Sequence, residues 1–239
     1  RGFNTQQLPN NGKPLMYGEY PRKIAGAKTV LFYMHFDGQP VTVENWAQKN
    51  PWIPVLKQRN AQGAWEAIDM AQLFGASVNP EWRVFARSAS DDKGPIVMFL
   101  AAFDAMKAAG IEPAINIKVI LDSEEEKGSV NIGNVATAHR DLLRADAILI
   151  HDGPRHASER PTLVFGNRGN TTVRLTVYGP RNELHSGHYG NYAPNPAQRL
   201  AALLASMKDD NGRVTIPGYY DRVKLSDSER RILAEVGDD

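Results

Sequence analysis

Three segments in the first 150 residues are runs of mostly apolar side chains. Residues 30–34 read VLFYM, residues 115–121 read INIKVIL, and residues 147–150 read AILI. Apolar runs of this length are typical of strands that are buried on both faces, as in a parallel sheet. The pattern therefore predicts a core of buried strands.

Helical patterns lie between these runs. Residues 96–109 carry apolar side chains at the 3.6-residue period, and Pro95 and Gly110 mark the first helical position and the residue past the end. Residues 130–143 predict a second helix. Strands that alternate with helices indicate an α/β fold, with helices flanking a mostly parallel sheet.

The pattern changes in the last third of the chain. Residues 171–178 alternate strictly between apolar and polar side chains, which predicts a half-exposed antiparallel strand. Ser226 and Glu229 have the spacing of a capping box that opens a last helix. We therefore divide the chain into residues 1–165 and a smaller α+β domain at residues 166–239.

Composition excludes several classes of function. The 239 residues carry a net charge of +1 and no Lys/Arg-rich tract, so we expect no nucleic-acid partner. No run approaches the roughly 18 apolar residues of a membrane span. The lack of cysteine excludes disulfides, thiolate zinc sites and a Cys nucleophile, but it leaves the compartment open between cytoplasm and periplasm or exterior. No signal-peptide pattern follows Arg1, so we expect a processed or trimmed start.

Polar residues follow two of the apolar runs directly. His35 and Asp37 come after residues 30–34, and in an extended chain residues two apart share one face. His35 is thus a candidate metal ligand and Asp37 its orienting partner, although a surface turn also explains His-x-Asp. Asp152 follows residues 147–150 in the same way.

Acidic residues occupy two further element ends. Glu124, Glu125 and Glu126 follow residues 115–121, where a solvated acidic turn is the alternative interpretation. Asp91 and Asp92 precede a helix, where capping is the commoner role of Asp. Four such ends that meet at one crevice of an α/β sheet indicate a site. His and carboxylate sets bind divalent metals, and one shared carboxylate commonly bridges paired ions.

Five stretches together resemble the M20 family of metallopeptidases, which includes glutamate carboxypeptidase, carnosinase-type dipeptidases and acetylornithine deacetylase. They are VLFYMHFDGQPV, ARSASDDKGP, LDSEEEKGS, HDGP, and FGNRGN followed by LHSGHYGNYAPNP. They follow in family order over most of the chain. The resemblance implies a zinc-exopeptidase-like catalytic domain at residues 1–165 and the start of a lid and dimerisation domain at residues 166–239.

The resemblance also implies roles at the matching positions. The implied metal ligands are His35, Asp91, Glu126 and Asp152. Asp91 would bridge two ions, and its peptide bond to Asp92 would be cis. Asp37 would orient His35, and Glu125 would be the general base. Glu124 receives no role.

Further roles fall on the second domain. His185 matches the lid histidine that, in dimeric members, reaches the partner's active site and polarises the substrate carbonyl. His188 is then a neighbour of the site. Arg168 and Asn170 are implied to order the lid hinge and contact substrate.

The family implies the cofactor, the substrate and the partner as well. We expect two divalent ions, zinc first, with manganese or cobalt as substitutes. The expected reaction is cleavage of a small peptide at a chain end by a dipeptidase or carboxypeptidase, in a homodimer formed through the lid. The alternatives are a deacylase of N-acyl amino acids with the same chemistry, and a non-catalytic relative or fragment.

Two features depart from the family pattern. The family's second ion has a further His ligand near the end of the catalytic domain, and no histidine follows His188 here. Residues 86–88, Ala-Arg-Ser, stand where the family usually has Gly-Arg-Gly. The sequence therefore predicts a piece of a longer enzyme that does not turn over substrate efficiently by itself.

Overall fold

The computed structural model describes residues 1–153, 156, 160–167 and 169–236. It divides into two compact units, Arg1–Thr162 and Leu163–Asp239. Each unit is described below by itself. The catalytic and lid roles of the two units remain predictions.

The strands of the described residues lie in the first unit and form two sheets. They are β1 (Asn4–Leu8), β2 (Leu15–Glu19), β3 (Thr29–His35), β4 (Val55–Arg59), β5 (Trp65–Ala67), β6 (Arg83–Phe85), β7 (Asn116–Asp122) and β8 (Ala147–Ile150). The larger sheet has the order β1-β2-β7-β3-β8. Strand β3 is parallel to both β7 and β8, whereas β2 is antiparallel to β7 and to β1.

The three apolar runs of the sequence are therefore the three parallel strands. Strands β3 and β7 are buried or half-buried as predicted, but the prediction of a buried strand is wrong for β8, whose Ile148 and Ile150 are 65% and 60% exposed. Strand β8 lies at the edge of the sheet, where no described strand borders its outer side. The α/β class with helices flanking a central sheet is confirmed. The sheet as a whole is mixed, because β1 and β2 are joined by a short turn and only antiparallel neighbours accept such a connection.

Helices cover both faces of this sheet. They are α1 (Lys93–Ala108), α2 (Ile132–Ala138) and α3 (Arg140–Leu143). On the α1 side, Phe99 and Phe103 pack with Met34 of β3. On the other side, Val135 of α2 packs with Leu31 of β3. Leu31 and Met34 of β3 thus reach opposite cores, which explains why the strand is apolar on both faces.

Both predicted helices differ in detail from those observed. Helix α1 begins at Lys93, so Pro95 is its third residue and not its first. The N–H groups of the first turn have no partner within a helix, and proline fits there because it has none to lose. The helix predicted at residues 130–143 breaks at His139 into α2 and α3. Residues with weak helix propensity, such as Gly133 and Thr137, fill this segment.

A small antiparallel sheet, β5-β4-β6, was not predicted from the sequence. Its strands are short and lack a clear period. Arg59 lies 4.4 Å from the ring centre of Trp65, and Trp65 packs edge-on against Phe85 at 5.1 Å between ring centres. The loop leading to this sheet lines an open cavity of about 620 Å³ whose wall includes Trp52.

The second unit contains α4 (Ser186–Tyr189), α5 (Pro196–Ala205) and α6 (Asp227–Glu235). The predicted capping box is confirmed, because the side chain of Ser226 accepts from Glu229 N–H and the Glu229 carboxylate accepts from Ser226 N–H. The strand predicted at residues 171–178 is wrong for this structure, which shows no ladder there. A strand needs a partner for its amide groups, and no described segment pairs with this one.

None of the described residues from 163 to 236 is fully buried. Within the part of the chain that the structure describes, no helix is long and apolar enough to cross a membrane.

Two methionines offer a matched test of the core. Met34 is fully buried in the α1-side core, whereas Met98 on the same side of the sheet is 64% exposed. We expect Met34→Ala to lower the free energy of unfolding by about 2–5 kcal/mol, because it leaves a cavity. Met98→Ala is expected to change it by less than about 0.5 kcal/mol. Urea unfolding of both variants measures the difference, and equal losses would show that this core is not assembled as described.

Candidate metal centre

The candidate centre lies where the three parallel strands end. His35 is the last residue of β3 and pairs in register with Asp122, the last residue of β7. Strand β8 ends at Ile150, and His151 N–H still donates to the carbonyl of Tyr33 at 2.9 Å. Parallel strands end at one edge of a sheet, so the residues that follow them meet there.

His35 stands at the centre of a group of carboxylates. Its Nε2 lies 2.9 Å from Asp91 Oδ1, 3.7 Å from Asp152 Oδ2 and 3.9 Å from Glu125 Oε2. One ligand atom each from His35, Asp91 and Asp152 lies within 4.8 Å of the others. His35 is fully buried, while the Asp91 side chain is 62% exposed. The group is thus closed on the protein side and open towards solvent.

The other ring nitrogen of His35 faces a carboxylate too. Nδ1 lies 3.2 Å from Asp37 Oδ1, as expected if Asp37 orients the ring. A ring that donates from Nδ1 has a lone pair on Nε2, which here faces the carboxylate of Asp91. A proton or a cation between these two acceptors resolves their repulsion, and imidazole with carboxylates is a common zinc ligand set.

Hydrogen bonds hold the backbone of residues 35–37 in place. Asp92, which is almost fully buried, accepts from His35 N–H at 2.9 Å. Lys93 Nζ donates to the carbonyl of Phe36 at 2.7 Å. Asp92 thus occupies the N-cap position of α1 without capping it through its side chain. The predicted cis peptide bond between Asp91 and Asp92 is confirmed.

The acidic run forms a single 3-10 turn over Glu125–Lys127. Gly128 ends it with φ 84°, a left-handed conformation that favours glycine. The side chain of Asp122 stabilises this turn through hydrogen bonds. Its carboxylate accepts from Glu124 N–H at 2.9 Å, from the Ser129 hydroxyl at 2.6 Å and from the Tyr33 hydroxyl at 3.0 Å.

Glu126 has one carboxylate oxygen paired and one unpaired. Gln39 Nε2 donates to Oε2 at 2.5 Å, while Oε1 is buried without a hydrogen-bond partner among the described residues. The backbone N–H of Glu126 donates to Asp37 Oδ2 at 3.3 Å, which brings it beside the His35 group. An unpaired buried carboxylate oxygen is costly, and a cation would satisfy it. The residues therefore fit a divalent metal.

Burial and the neighbouring carboxylates shift the pKa values of three groups at the centre. Burial works to lower the pKa of His35, but the carboxylates of Asp92, Asp152, Glu125 and Asp91 outweigh it and raise it. Burial raises the pKa of Asp92 to about 6. Burial, helped by the nearby carboxylates of Asp152 and Glu126 and opposed by His35, raises the pKa of Glu125. A bound cation would offset this charge.

The site residues predicted in the second unit are placed as follows. His185 is exposed at the N-cap of α4, where its Nδ1 accepts from Gly187 N–H at 3.0 Å. Its ring lies 5.2 Å from that of His188. Asn170 is exposed, and Arg168 lies outside the described residues. Because these residues belong to the second unit, their roles at the centre remain predictions.

Sequence reasoning missed two residues that shape the centre, Asp122 and Gln39, and it gave the side chain of Asp92 no role other than capping. Asp92 and Asp122 accept hydrogen bonds at the ends of β3 and β7, and Gln39 pairs with Glu126. Asp122 had one available signal, since it is the last residue of an apolar run. Gln39 had none, because its partner lies 87 positions away in the sequence.

The sequence profile of peptidase family M20/M25/M40 matches residues 31–226. The Cys-Gly metallodipeptidase dug1 of Schizosaccharomyces pombe is 31% identical over 231 residues, which are 93% of this chain and 43% of that protein. The Beta-Ala-His dipeptidase of Mus musculus is 27% identical over 245 residues, or 98% of this chain and 44% of that protein. The chain therefore spans less than half of the length of these relatives.

A solved structure is similar as well. The M20 family metallo-carboxypeptidase Sso-CP2 of Sulfolobus solfataricus superposes with a TM-score of 0.65 at 27% identity, over all of this chain and 48% of that one. Human carnosine dipeptidase 1, at 23% identity and a TM-score of 0.52, shares the fold.

Proposed function

The chain belongs to the M20/M25/M40 peptidase family, and we propose that it contributes the metal-binding part of an exopeptidase that cleaves small peptides at a chain end. The observation that carries the proposal is the convergence of His35, Asp91 and Asp152, with Glu125 3.9 Å from the His35 ring. The relatives named above are dipeptidases and a carboxypeptidase, which favours peptide over N-acyl amino acid substrates.

Two divalent ions are proposed as the cofactor, with zinc first and manganese or cobalt as substitutes. His35, Asp91 and Asp152 would hold one ion, and Asp91 with Glu126 would be the ligands that this chain supplies to the second. When bound, the pair would supply Lewis-acid polarisation of the scissile carbonyl and a lowered pKa of the attacking water. The unpaired Oε1 of Glu126 supports its assignment to the second ion.

Glu125 is proposed as the general base. Its carboxylate borders the centre but lies beyond hydrogen-bond distance of His35, and its side chain is 35% exposed towards solvent. It would accept the proton of the attacking water and pass it to the leaving amine. Burial and neighbouring carboxylates raise the pKa of Glu125, which makes it a stronger base than a solvated glutamate.

The second unit is proposed to act as lid and homodimer contact. Large apolar side chains that remain exposed there support this role, because exposed apolar surface is typical of interaction sites. They include Phe165, Val173, Tyr192 and Leu204. His185 would stabilise the oxyanion of the transition state. Arg168 and Asn170 would order the hinge of the lid and contact substrate.

The proposal is tested by metal content and substrate hydrolysis together. We expect elemental analysis after dialysis to find two ions per chain in the native protein. Cys-Gly and β-Ala-His are then expected to be hydrolysed, and N-acetyl amino acids are not. Preferential release of acetate would instead identify a deacylase. A native protein with two ions that cleaves neither class, or a native protein with no ion, would overturn the peptidase proposal.

A further inference from the structure

Glu124, the first residue of the glutamate run, makes contacts that differ from those of Glu125 and Glu126. Its Oε2 accepts from Asn131 Nδ2 at 2.9 Å and lies 3.4 Å from Asn10 Nδ2. Asn131 is the N-cap residue of α2, and Asn10 belongs to the turn between β1 and β2. Glu124 thus binds two elements that carry none of the proposed metal ligands.

The β1–β2 turn lies directly against this side chain. A Cβ atom built on Gly12 would be 2.1 Å from Glu124 Oε1, so only glycine leaves room there for the carboxylate. The neighbouring hydroxyl of Ser123 donates to the carbonyl of Lys13 at 3.0 Å. Gly12 does not have a positive φ, so its requirement is for space and not for backbone conformation.

The backbone of Glu124 sets the start of the acidic turn. Its carbonyl accepts from Lys127 N–H at 3.1 Å and from Ser129 N–H at 2.9 Å. These two bonds enclose the segment that carries Glu125 and Glu126. A change in the position of residue 124 would therefore tilt both following carboxylates together.

We propose that Glu124 is a positioning residue, which is wedged between Gly12 and Asn131 and so aims Glu125 and Glu126 at the metal centre. This proposal rests on the function proposed above, in which Glu125 is the general base and Glu126 is a metal ligand. Outer partners that orient metal ligands typically change metal affinity by about 10–100-fold when they are removed.

Four variants separate this role from general stability. Glu124→Ala removes the carboxylate that accepts from Asn131, whereas Glu124→Gln keeps an oxygen that accepts from Asn131. Gly12→Ala is expected to displace the Glu124 carboxylate, because the new Cβ atom would occupy its place and the end of a flexible side chain moves readily. Glu66→Ala is the matched control, since Glu66 is exposed and accepts one hydrogen bond from Gln58 at 2.8 Å in the small sheet.

Zinc titration by calorimetry is the first measurement. We expect Glu124→Ala and Gly12→Ala to lower the affinity for the second zinc ion by about 10–100-fold. The affinity for the ion at His35, Asp91 and Asp152 is expected to remain unchanged. Glu124→Gln and Glu66→Ala are expected to stay within about twofold of the parent protein. The double variant of Gly12→Ala and Glu124→Ala is expected to have the same zinc affinity as Glu124→Ala alone, because both substitutions disrupt the same contact of the Glu124 side chain.

Amide hydrogen exchange is the second measurement, and it needs no metal. The N–H groups of Lys127, Gly128 and Ser129 are expected to exchange roughly tenfold faster in Glu124→Ala and in Gly12→Ala, because the turn opens more readily. Glu124→Gln is expected to exchange like the parent protein. Unchanged exchange in Gly12→Ala, or equal effects of Glu124→Gln and Glu124→Ala, would overturn the positioning role.

The two measurements also separate this inference from the proposed function. A parent protein that binds no zinc would refute the metal centre, and the exchange rates would still decide whether Glu124 anchors the turn. A parent protein with two ions whose second ion is insensitive to Glu124→Ala would refute the positioning role alone.

Discussion

Replacement of Glu125 by glutamine is expected to lower kcat by about 10²–10⁴-fold, the usual contribution of general acid–base catalysis. Gln has nearly the shape of Glu but does not accept a proton at neutral pH. The carboxylate of Glu125 lies 3.9 Å from His35 Nε2, too far for a hydrogen bond, so its loss leaves the proposed ligands in place. We therefore expect the metal content to remain at the parent level.

Steady-state kinetics on the native protein with a dipeptide, together with elemental analysis, measure both quantities. Glu112→Gln is the control, because Glu112 is an exposed carboxylate that accepts from the Tyr20 hydroxyl at 3.1 Å. A Glu125→Gln enzyme that keeps more than about a tenth of kcat would assign the base to another residue. If the Glu125→Gln enzyme lost bound metal as well as activity, the result would identify Glu125 as a metal ligand and not as the base.

Replacement of Asp91 by alanine is expected to remove both ions at once. Its carboxylate lies 2.9 Å from His35 Nε2 and is the proposed bridge between the two ions. The loss of a bridging ligand leaves His35 and Asp152 for the first ion and only Glu126 for the second. Divalent metals in proteins rarely remain bound by so few side chains.

Thermal unfolding with added zinc checks this expectation in the same protein. Zinc at about 100 times its Kd should stabilise the parent protein by about 2.7 kcal/mol, because only the folded chain forms the site. The Asp91→Ala variant is expected to gain nothing. Asp104→Ala, which removes an exposed partner of Arg1, is expected to gain as much as the parent. An Asp91→Ala protein that retains one tightly bound ion would contradict the bridging role.

The parts of the fold that were predictable depend on residues near in sequence. The strands β3 and β7 are nearly unbroken apolar runs, because their side chains enter the cores on both faces of the sheet. The Ser226 cap and the Gly110 stop depend on neighbours within a few residues, and both occur where they were predicted. Local patterns therefore determined these elements and their order along the chain.

Other elements depend on partners that are distant in the chain. The small sheet forms through pairing of β4 with strands of irregular pattern, and residues 171–178 lack a ladder despite strict alternation. Alternation shows only that one face prefers burial. Whether a strand forms depends on a partner for its amide groups, which no local pattern contains.

The candidate site divides in the same way. The sequence by itself showed that His35, the three glutamates at residues 124–126 and Asp152 follow apolar runs and that Asp91 and Asp92 precede a helix, and the resemblance to the M20 family selected the ligands among them. Tertiary structure alone decided which acids face the centre. Asp92, Asp122 and Glu124 are acids in the same stretches, but each accepts hydrogen bonds within the protein framework. The physical reason is that adjacent carboxylates are equivalent until folding supplies donors to some of their oxygens, and the oxygens left without donors, such as Oε1 of Glu126, remain for a cation.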